Sequence, residues 1–248
     1  KVSKGLSFYK QNSNLIKSVE KKFNIEQELL LSLMGIETNS GTYVGKMDIL
    51  SSLATLSFDQ RRSEFFTNEL LILLKLIEKQ QINYQTLFGS WAGAFGFFQF
   101  MPSTIKNYAI DYNKDNRIDL KDANDAYASA ANYLNQIGWK DNEPCFYEVQ
   151  LTNKIPKKYL NVSAKKLHDK KKLKYFRKYI SNANILDQKY DNLTTSIITP
   201  DKDIIPDAEN LSPAYIVFDN YEIILKWNRS LRFSLAVCTL KEKFKNEL

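Results

Sequence analysis

The sequence predicts a mainly α protein of the α+β class, with a small β-containing lobe in its second half. Three observations carry this. Apolar residues recur at helical spacing over long stretches before residue 78 and again after residue 123. Runs of β type are short and confined to Phe146–Leu151, Ile197–Ile198 and Tyr215–Phe218. Between the helical stretches lies an oxygen-rich loop, Asp111 to Asp122, of the kind that receives a hard cation.

The totals narrow the class. A chain of 248 residues can bury a substantial core, as one large domain or as a main domain with a smaller one. Hydrophobic content of 44% and charged content of 25% are those of a folded soluble protein. No apolar run is long enough to cross a bilayer, so no transmembrane segment is expected. Lys1-Val2-Ser3-Lys4-Gly5 has neither a signal-peptide core nor a lipid-accepting cysteine, so any export signal is expected outside these residues. The net charge of +7 fits an anionic partner, whether nucleic acid, a membrane surface or an acidic wall polymer. It fits a lysine-rich solvated surface equally well. His168 is the only histidine, and neither Cys145 nor Cys238 has metal-type spacing, which excludes a structural zinc site. Any Ser-His-Asp triad would have to use His168. A Cys145–Cys238 disulfide is compatible with the sequence but not required by it.

Residues 6–22 read as an amphipathic helix with Phe8, Leu15, Ile16 and Val19 on one side. Asn24 is expected to cap the next helix, with Glu26 and Glu28 favouring its first turn. In that helix Leu30, Leu33, Met34 and Glu37 share a face. The face is apolar and therefore buried, which sets the Glu37 carboxylate at the edge of a core. Thr38, Asn39, Ser40 and Gly41 follow, residues of turns and helix ends. Partial desolvation there raises a carboxyl pKa and can keep it protonated near neutral pH, as a general acid requires. On this stretch alone, a salt-bridged glutamate at a helix end is the plainer reading. A short helix is expected over Ile49 to Leu56. The next begins within Ser57 to Phe66, capped by Ser57 or Asp59, and its leucine series from Leu70 to Leu76 makes it largely buried. Arg61 and Arg62 in its first turn oppose the helix dipole. They suggest anion binding or a carboxylate partner, against simple surface charge.

Gly89 to Ser103 alternates small residues with aromatics; the glycines imply tight turns, and the aromatics suit stacking on sugars or bases, or a packed loop. Ser103 is expected to cap a helix through Tyr108. In the cation-type loop, oxygen side chains fall at loop positions one, three, five, nine and twelve. Asn116 replaces the usual glycine and Asp122 the usual glutamate, and Asp125 can supply the missing ligand. A solvated Asp/Asn turn is the alternative. The helix that follows ends at Gly138. Beyond residue 141, the basic tract Lys165 to Tyr179 reads as a basic helix for an anionic polymer, or as a solvated helix face. Pro200, Pro206 and Pro213 punctuate loops. A final amphipathic helix is expected over 229–246, capped by Asn228, with Trp227 placed to line a cleft.

Several of these stretches resemble one family in the same order along the chain. Gly35-Ile36-Glu37-Thr38, Gly45-Lys46, Ile49-Leu50 and Leu53-Ala54-Thr55-Leu56-Ser57-Phe58 resemble the catalytic segment of the B-type lytic murein transglycosylases. Gly89-Ser90, Ala92-Gly93-Ala94-Phe95-Gly96 and Gln99-Phe100-Met101-Pro102-Ser103 resemble its glycine-rich loop. Ala131-Asn132-Tyr133, Gly138-Trp139 and Tyr221 to Ala236 continue the match. It is strong over 29–139, fair over 215–240 and weak over 141–214.

The resemblance implies a lysozyme-like helical catalytic core over 1–140 with an EF-hand-like cation loop at 111–125. It also implies a divergent basic lobe over 141–214, and a closing segment, 215–248, whose C-terminal helix returns to the core. The implied substrate and partner is the peptidoglycan glycan strand, cut between N-acetylmuramic acid and N-acetylglucosamine. Glu37 would be general acid, then base, and the product a 1,6-anhydro sugar. Ser90, Gln99, Arg61, Arg62, Tyr133 and Asn228 match substrate-binding positions, and Trp227 and Phe233 stand at two more. Asp111, Asn113, Asp115, Asp125 and the Arg117 carbonyl would hold a structural calcium or sodium ion, with no cofactor for catalysis. A periplasmic location follows, with outer-membrane or wall association of the full-length precursor. Other cell-wall enzymes are compatible partners and nucleic acid is not expected. Phe65, Trp227 and Phe233 stand where the family commonly has tyrosine, so hydroxyl contacts are lost while stacking is kept. That drift motivates the alternative of a non-catalytic peptidoglycan-binding scaffold.

Overall fold

A computed structural model describes residues 1–201 and 212–248 of the chain; Pro206 lies outside them. The chain divides into two compact units, Lys1–Ile137 with Leu240–Leu248, and Gly138–Thr239. The expected closing segment is itself divided: residues 215–239 belong to the second unit, and only the last nine return to the first. The reason is strand pairing, since residues 214–218 find their partners inside the second unit.

The first unit is built from α1 (Val2–Phe23), α2 (Gln27–Thr38), β1 (Met47–Asp48), α3 (Ile49–Ser57), α4 (Ser63–Glu78), β2 (Phe88–Gly89), α5 (Pro102–Tyr108) and α6 (Ala123–Gln136). Its centre is α2. Leu29, Leu30, Leu31, Leu33 and Met34 are at most 1% exposed, so this helix is buried all round and not on one stripe. Phe8 of α1 stacks on Tyr127 of α6, whose hydroxyl donates to Met34 Sδ at 3.1 Å. The C-terminal residues close over α2: Leu240 packs against Gly35, and Lys241 pairs with Glu26 at 3.0 Å. Any side chain larger than glycine at position 35 would press on Leu240.

Several caps differ from expectation. Asn24 ends α1 in the left-handed conformation instead of starting α2, whose cap is Glu26. An asparagine tolerates positive φ, and that property decides here. Asp48 caps α3 through Ser51 N–H at 2.7 Å. Arg61 and Arg62 precede α4 instead of occupying its first turn. Helix α4 buries only the face with Phe66, Glu69, Leu73 and Leu76, while Leu71 and Leu74 stay exposed. Asp122, the twelfth position of the oxygen-rich loop, caps α6 through Asn124 N–H at 2.9 Å.

The second unit holds β3 (Phe146–Val149), β4 (Leu160–Asn161), β5 (Lys171–Lys172), α7 (Leu173–Phe176), β6 (Thr194–Ile198), β7 (Ala214–Phe218) and α8 (Asp219–Trp227). Helix α9 (Leu231–Lys245) begins in this unit and ends in the first. In the sheet, β7 lies antiparallel between β3 and β6. β4 and β5 share the other edge of β6, one parallel and one antiparallel. Phe176, Ile180, Ile197, Ile216 and Phe218 form its core. The basic tract is not the expected helix. Extended residues and β5 are followed by one helical turn, because Leu173 and Phe176 are drawn into that core while Lys174 between them stays in water. Cys145 and Cys238 are joined in a disulfide across 93 residues, which ties the two ends of the unit together. Tyr221 fixes the turn into α9 by donating to Leu231 O at 2.6 Å. Asn228 ends α8; the start of α9 is held by Ser230, whose hydroxyl accepts from Phe233 N–H at 3.2 Å.

Candidate active site

Glu37 is the penultimate residue of α2, half-buried where the apolar core gives way to a loop. The helix stops there because Asn39, Ser40 and Gly41 take left-handed backbone angles in succession. Asn39 and Ser40 both return their N–H groups to Met34 O. The terminus is thus closed by backbone bonds, and the side chain one turn from the buried leucines is left at the rim.

Thr38 fastens the neighbouring loop to this terminus. Its hydroxyl donates toward Phe97 O, 2.9 Å away, and accepts from Gly41 N–H at 3.1 Å. The glycine-rich loop is therefore tied to the residue next to Glu37. A second tie lies further along. Gln99 is held at φ 50, an uncommon angle for a residue with a side chain. Its amide donates to Gly96 O at 2.9 Å and to Val44 O at 3.3 Å, so the strained residue links the loop to the segment that follows α2. Beside it, β1 pairs with β2, and Gly45 lies so close to Gly89 that a Cβ would sit 2.1 Å from the Gly89 carbonyl oxygen. Ser90 continues from β2; its hydroxyl accepts from Ala94 N–H at 3.1 Å.

Tyr133 packs under the same loop, with its ring against Phe100 at 5.9 Å and Tyr108 at 4.4 Å. Burial pushes its phenol pKa up, with the neighbouring Tyr108 adding to the shift. The far end of the loop is anchored by Glu69, which is 2% exposed. Its carboxylate accepts Ser103 N–H at 2.8 Å and Ser103 O–H at 2.6 Å. Ser103 therefore sits within the first turn of α5 instead of capping it; Met101 is the cap and Pro102 the first helical residue.

Thr38, next to Glu37, and Gln99 are thus hydrogen-bonded to the glycine-rich loop or its neighbours, Ser90 is bonded within that loop, and Tyr133 of α6 packs against it. Arg61 and Arg62 stand apart from that network. Arg61 is exposed and bound to Asp59, whose carboxyl it holds down at about 2. Arg62 lies over the Phe65 ring at 4.5 Å. Trp227, Asn228 and Phe233 belong to the second unit, at the α8–α9 turn. His168 lies on the surface beside Asp169.

Three other carboxylates of the first unit are committed to partners of their own. Glu69 serves Ser103, Asp48 caps α3, and Asp59 serves Arg61. The oxygen-rich loop is wound on its own backbone. Asp111 accepts from Asp115 and Asn116 N–H, Asn113 from Asp115 N–H, and Asp115 from Arg117 N–H. Asp125 is fully buried and accepts from Tyr112, Asn113 and Asp119 N–H. Desolvation raises its pKa, against the pull of those donors. Among the described residues no three Asp, Glu, His or Cys side chains gather as a metal-holding group.

Sequence reasoning did not assign a role to Thr38 or Glu69. Thr38 was visible as a β-branched residue at a helix end, and Glu69 as a charge among leucines, but their partners lie 59 and 34 residues away. Replacing Thr38 with valine keeps its shape and removes both contacts. It is expected to cost about 1–3 kcal/mol, read from thermal unfolding.

A helical core with a half-buried glutamate at the end of its central helix, a glycine-rich loop tied to that helix end and a small sheet unit following in sequence has the elements of a lysozyme-like fold. The chain belongs to the transglycosylase SLT family, whose domain model matches residues 1–242. It is 40% identical over 139 residues to membrane-bound lytic murein transglycosylase B of Escherichia coli strain K12, a match covering 56% of this chain and 38% of that protein. SltB3 of Pseudomonas aeruginosa, solved in complex with NAG-anhNAM-pentapeptide, superimposes with a TM-score of 0.86 at 31% identity, covering 98% of this chain and 63% of that one. Escherichia coli Slt35 in complex with calcium gives a TM-score of 0.80 at 26% identity, covering 99% and 74%. The chain thus spans less than two thirds of the first two relatives.

Proposed function

We propose that the chain is a lytic transglycosylase of the peptidoglycan glycan strand, with Glu37 as its acid and base. The observation that supports this is the tie between Thr38, next to the half-buried Glu37, and the glycine-rich loop. Protonated Glu37 gives its proton to the glycosidic oxygen as the bond from the muramoyl C1 breaks. The resulting carboxylate takes the proton of the C6 hydroxyl, whose oxygen closes on C1. Glu37 ends protonated, the leaving sugar carries a hydroxyl, and no water enters. The commitment of Glu69, Asp48 and Asp59 to other partners supports a scheme with one carboxyl group instead of the usual two. The substrate acetamido group would share the charge at C1. Ser90 would donate toward Glu37. Gln99 Oε1 and Tyr133 would meet the sugar, with Arg61 and Arg62 toward carboxylates of the stem. Trp227, Asn228 and Phe233 are proposed as substrate-binding residues on the family resemblance alone. The complex of SltB3 with a NAG-anhNAM-pentapeptide supports this choice of ligand.

The oxygen donors Asp111, Asn113, Asp115, the Arg117 carbonyl and Asp125 suit a hard cation, and the calcium complex of Slt35 supports that reading. The ion would brace the loop ahead of α6 and take no part in the reaction. Calcium at about a hundred times its dissociation constant is expected to stabilise the fold by about 3 kcal/mol. Asp111→Ala should abolish the rise in Tm, and a rise of equal size in that variant would refute the assignment. A periplasmic location is supported by the Cys145–Cys238 disulfide, since such bonds persist in oxidising compartments. Among the described residues no helix is long and apolar enough to cross a membrane.

A further inference from the structure

The positive charge of this protein is not spread over it. Residues 151–180 hold 11 basic side chains against a single acid, Asp169, whereas the remaining residues hold 24 basic and 27 acidic. The whole excess of +7 therefore comes from one 30-residue stretch of the second unit. That stretch builds the β4–β5 edge of the sheet and the loops on either side of it.

Folding leaves these charges exposed and mutually unneutralised. Lys170 pairs with Glu222, and Arg177 is held by Asp191 and the carbonyls of Ala183 and Leu186. The other nine lysines are exposed, and none has a carboxylate partner among the described residues. Some are drawn together. The ammonium groups of Lys171 and Lys178 lie over the same ring, 5.8 and 4.6 Å from the centroid of Tyr175. They are thus within about one Debye length at 0.1 M salt, about 10 Å. Lys158 lies over Tyr159, whose hydroxyl is 2.8 Å from that of Tyr175. Like charges gathered in this way repel one another, and an anionic surface relieves the repulsion.

The chemistry of the patch selects among anions. The one guanidinium is occupied, so bidentate recognition of single carboxylates is not what the edge offers. The Tyr159, Tyr175 and Phe176 rings pack edge to face on one another, Tyr179 lies tilted against Tyr175, and ammonium groups lie over the three tyrosines, which takes up faces that a sugar or an unpaired base would stack on. What remains is a dense array of flexible point charges along an exposed sheet edge, suited to a field of phosphates. We infer that the lysine-lined β4–β5 edge of the second unit is a docking surface for the headgroups of an anionic phospholipid bilayer. This contact is separate from the cleavage reaction and does not depend on it.

The test is sedimentation of the full chain with vesicles of phosphatidylcholine alone, or with about a third of the lipid replaced by phosphatidylglycerol. Binding to the mixed vesicles only, falling steeply as salt is raised, is expected. Each lysine near such a surface contributes about a fivefold factor in affinity. Replacing Lys158, Lys171, Lys174 and Lys178 together with glutamine should therefore weaken binding by a hundredfold or more, to about the level of the neutral vesicles. The same four changed to arginine should retain it, and circular dichroism should be unaltered in both variants. Equal binding to neutral and anionic vesicles would overturn the inference. So would undiminished binding of the glutamine variant, or salt-sensitive capture by duplex DNA or by purified sacculi without any by the vesicles.

Discussion

Glu37→Gln is expected to release no anhydro-muropeptides from purified sacculi under conditions in which the wild-type chain does, a loss of about three orders of magnitude or more. General acid–base groups contribute about 10²–10⁴ each. Here one carboxyl would serve in both proton transfers, so removing it loses both at once. The amide has nearly the shape of the acid, and backbone bonds of Asn39 and Ser40 with the Thr38 hydroxyl close the end of α2. The variant should therefore keep its Tm and its affinity for glycan strands. Mass spectrometry of the soluble products reads the result. Reducing-end, hydrated products from the wild type would identify a muramidase on the same scaffold. Release of anhydro products by both proteins would remove Glu37 from the chemistry. Absence of products from both, with binding intact, would favour the scaffold reading that Phe65, Trp227 and Phe233 raise.

The second large effect is expected in the sheet unit. The Cys145–Cys238 bond closes a loop of 93 residues, nearly the whole of that unit. Restraint of the unfolded chain over such a length is worth about 4–5 kcal/mol. For a unit of this size that corresponds to a fall in Tm of about 15 °C or more. Reduction should therefore lower one thermal transition substantially, and Cys145→Ala should do the same in the absence of reductant. The first unit, with α2 buried in its own core and no cysteine, should unfold at an unchanged temperature. A reduced protein that melts where the oxidised one does would show that the sheet carries its own stability, through Phe176, Ile197, Ile216 and Phe218.

Much of the helical half was legible from residue spacing. The apolar run from Leu29 to Met34, followed by Glu37 and a cluster of turn residues, describes a buried helix with a carboxylate at its rim. The same was true of the Gly89–Ser103 loop and of the strands at 146, 197 and 215. Caps were read less well. Asn24, Ser57, Ser103 and Asn228 each carry a side chain that can end or begin a helix, and only the path of the chain selects between the two. The basic tract misled for a related reason: its lysines fit a helical face, but Leu173 and Phe176 gain more by entering the sheet core.

Local pattern, then, determined the elements of this protein and its candidate acid, because both depend on residues within a turn or two of one another. Tertiary structure decided the long-range contacts of each unit. Thr38 meets Phe97, Glu69 meets Ser103, Gly45 meets Gly89, and Cys145 meets Cys238. Each is a contact between residues 34 or more positions apart, made specific by a buried polar group that must find its partner or by a space that admits only hydrogen. Such pairings leave no periodic trace in the chain.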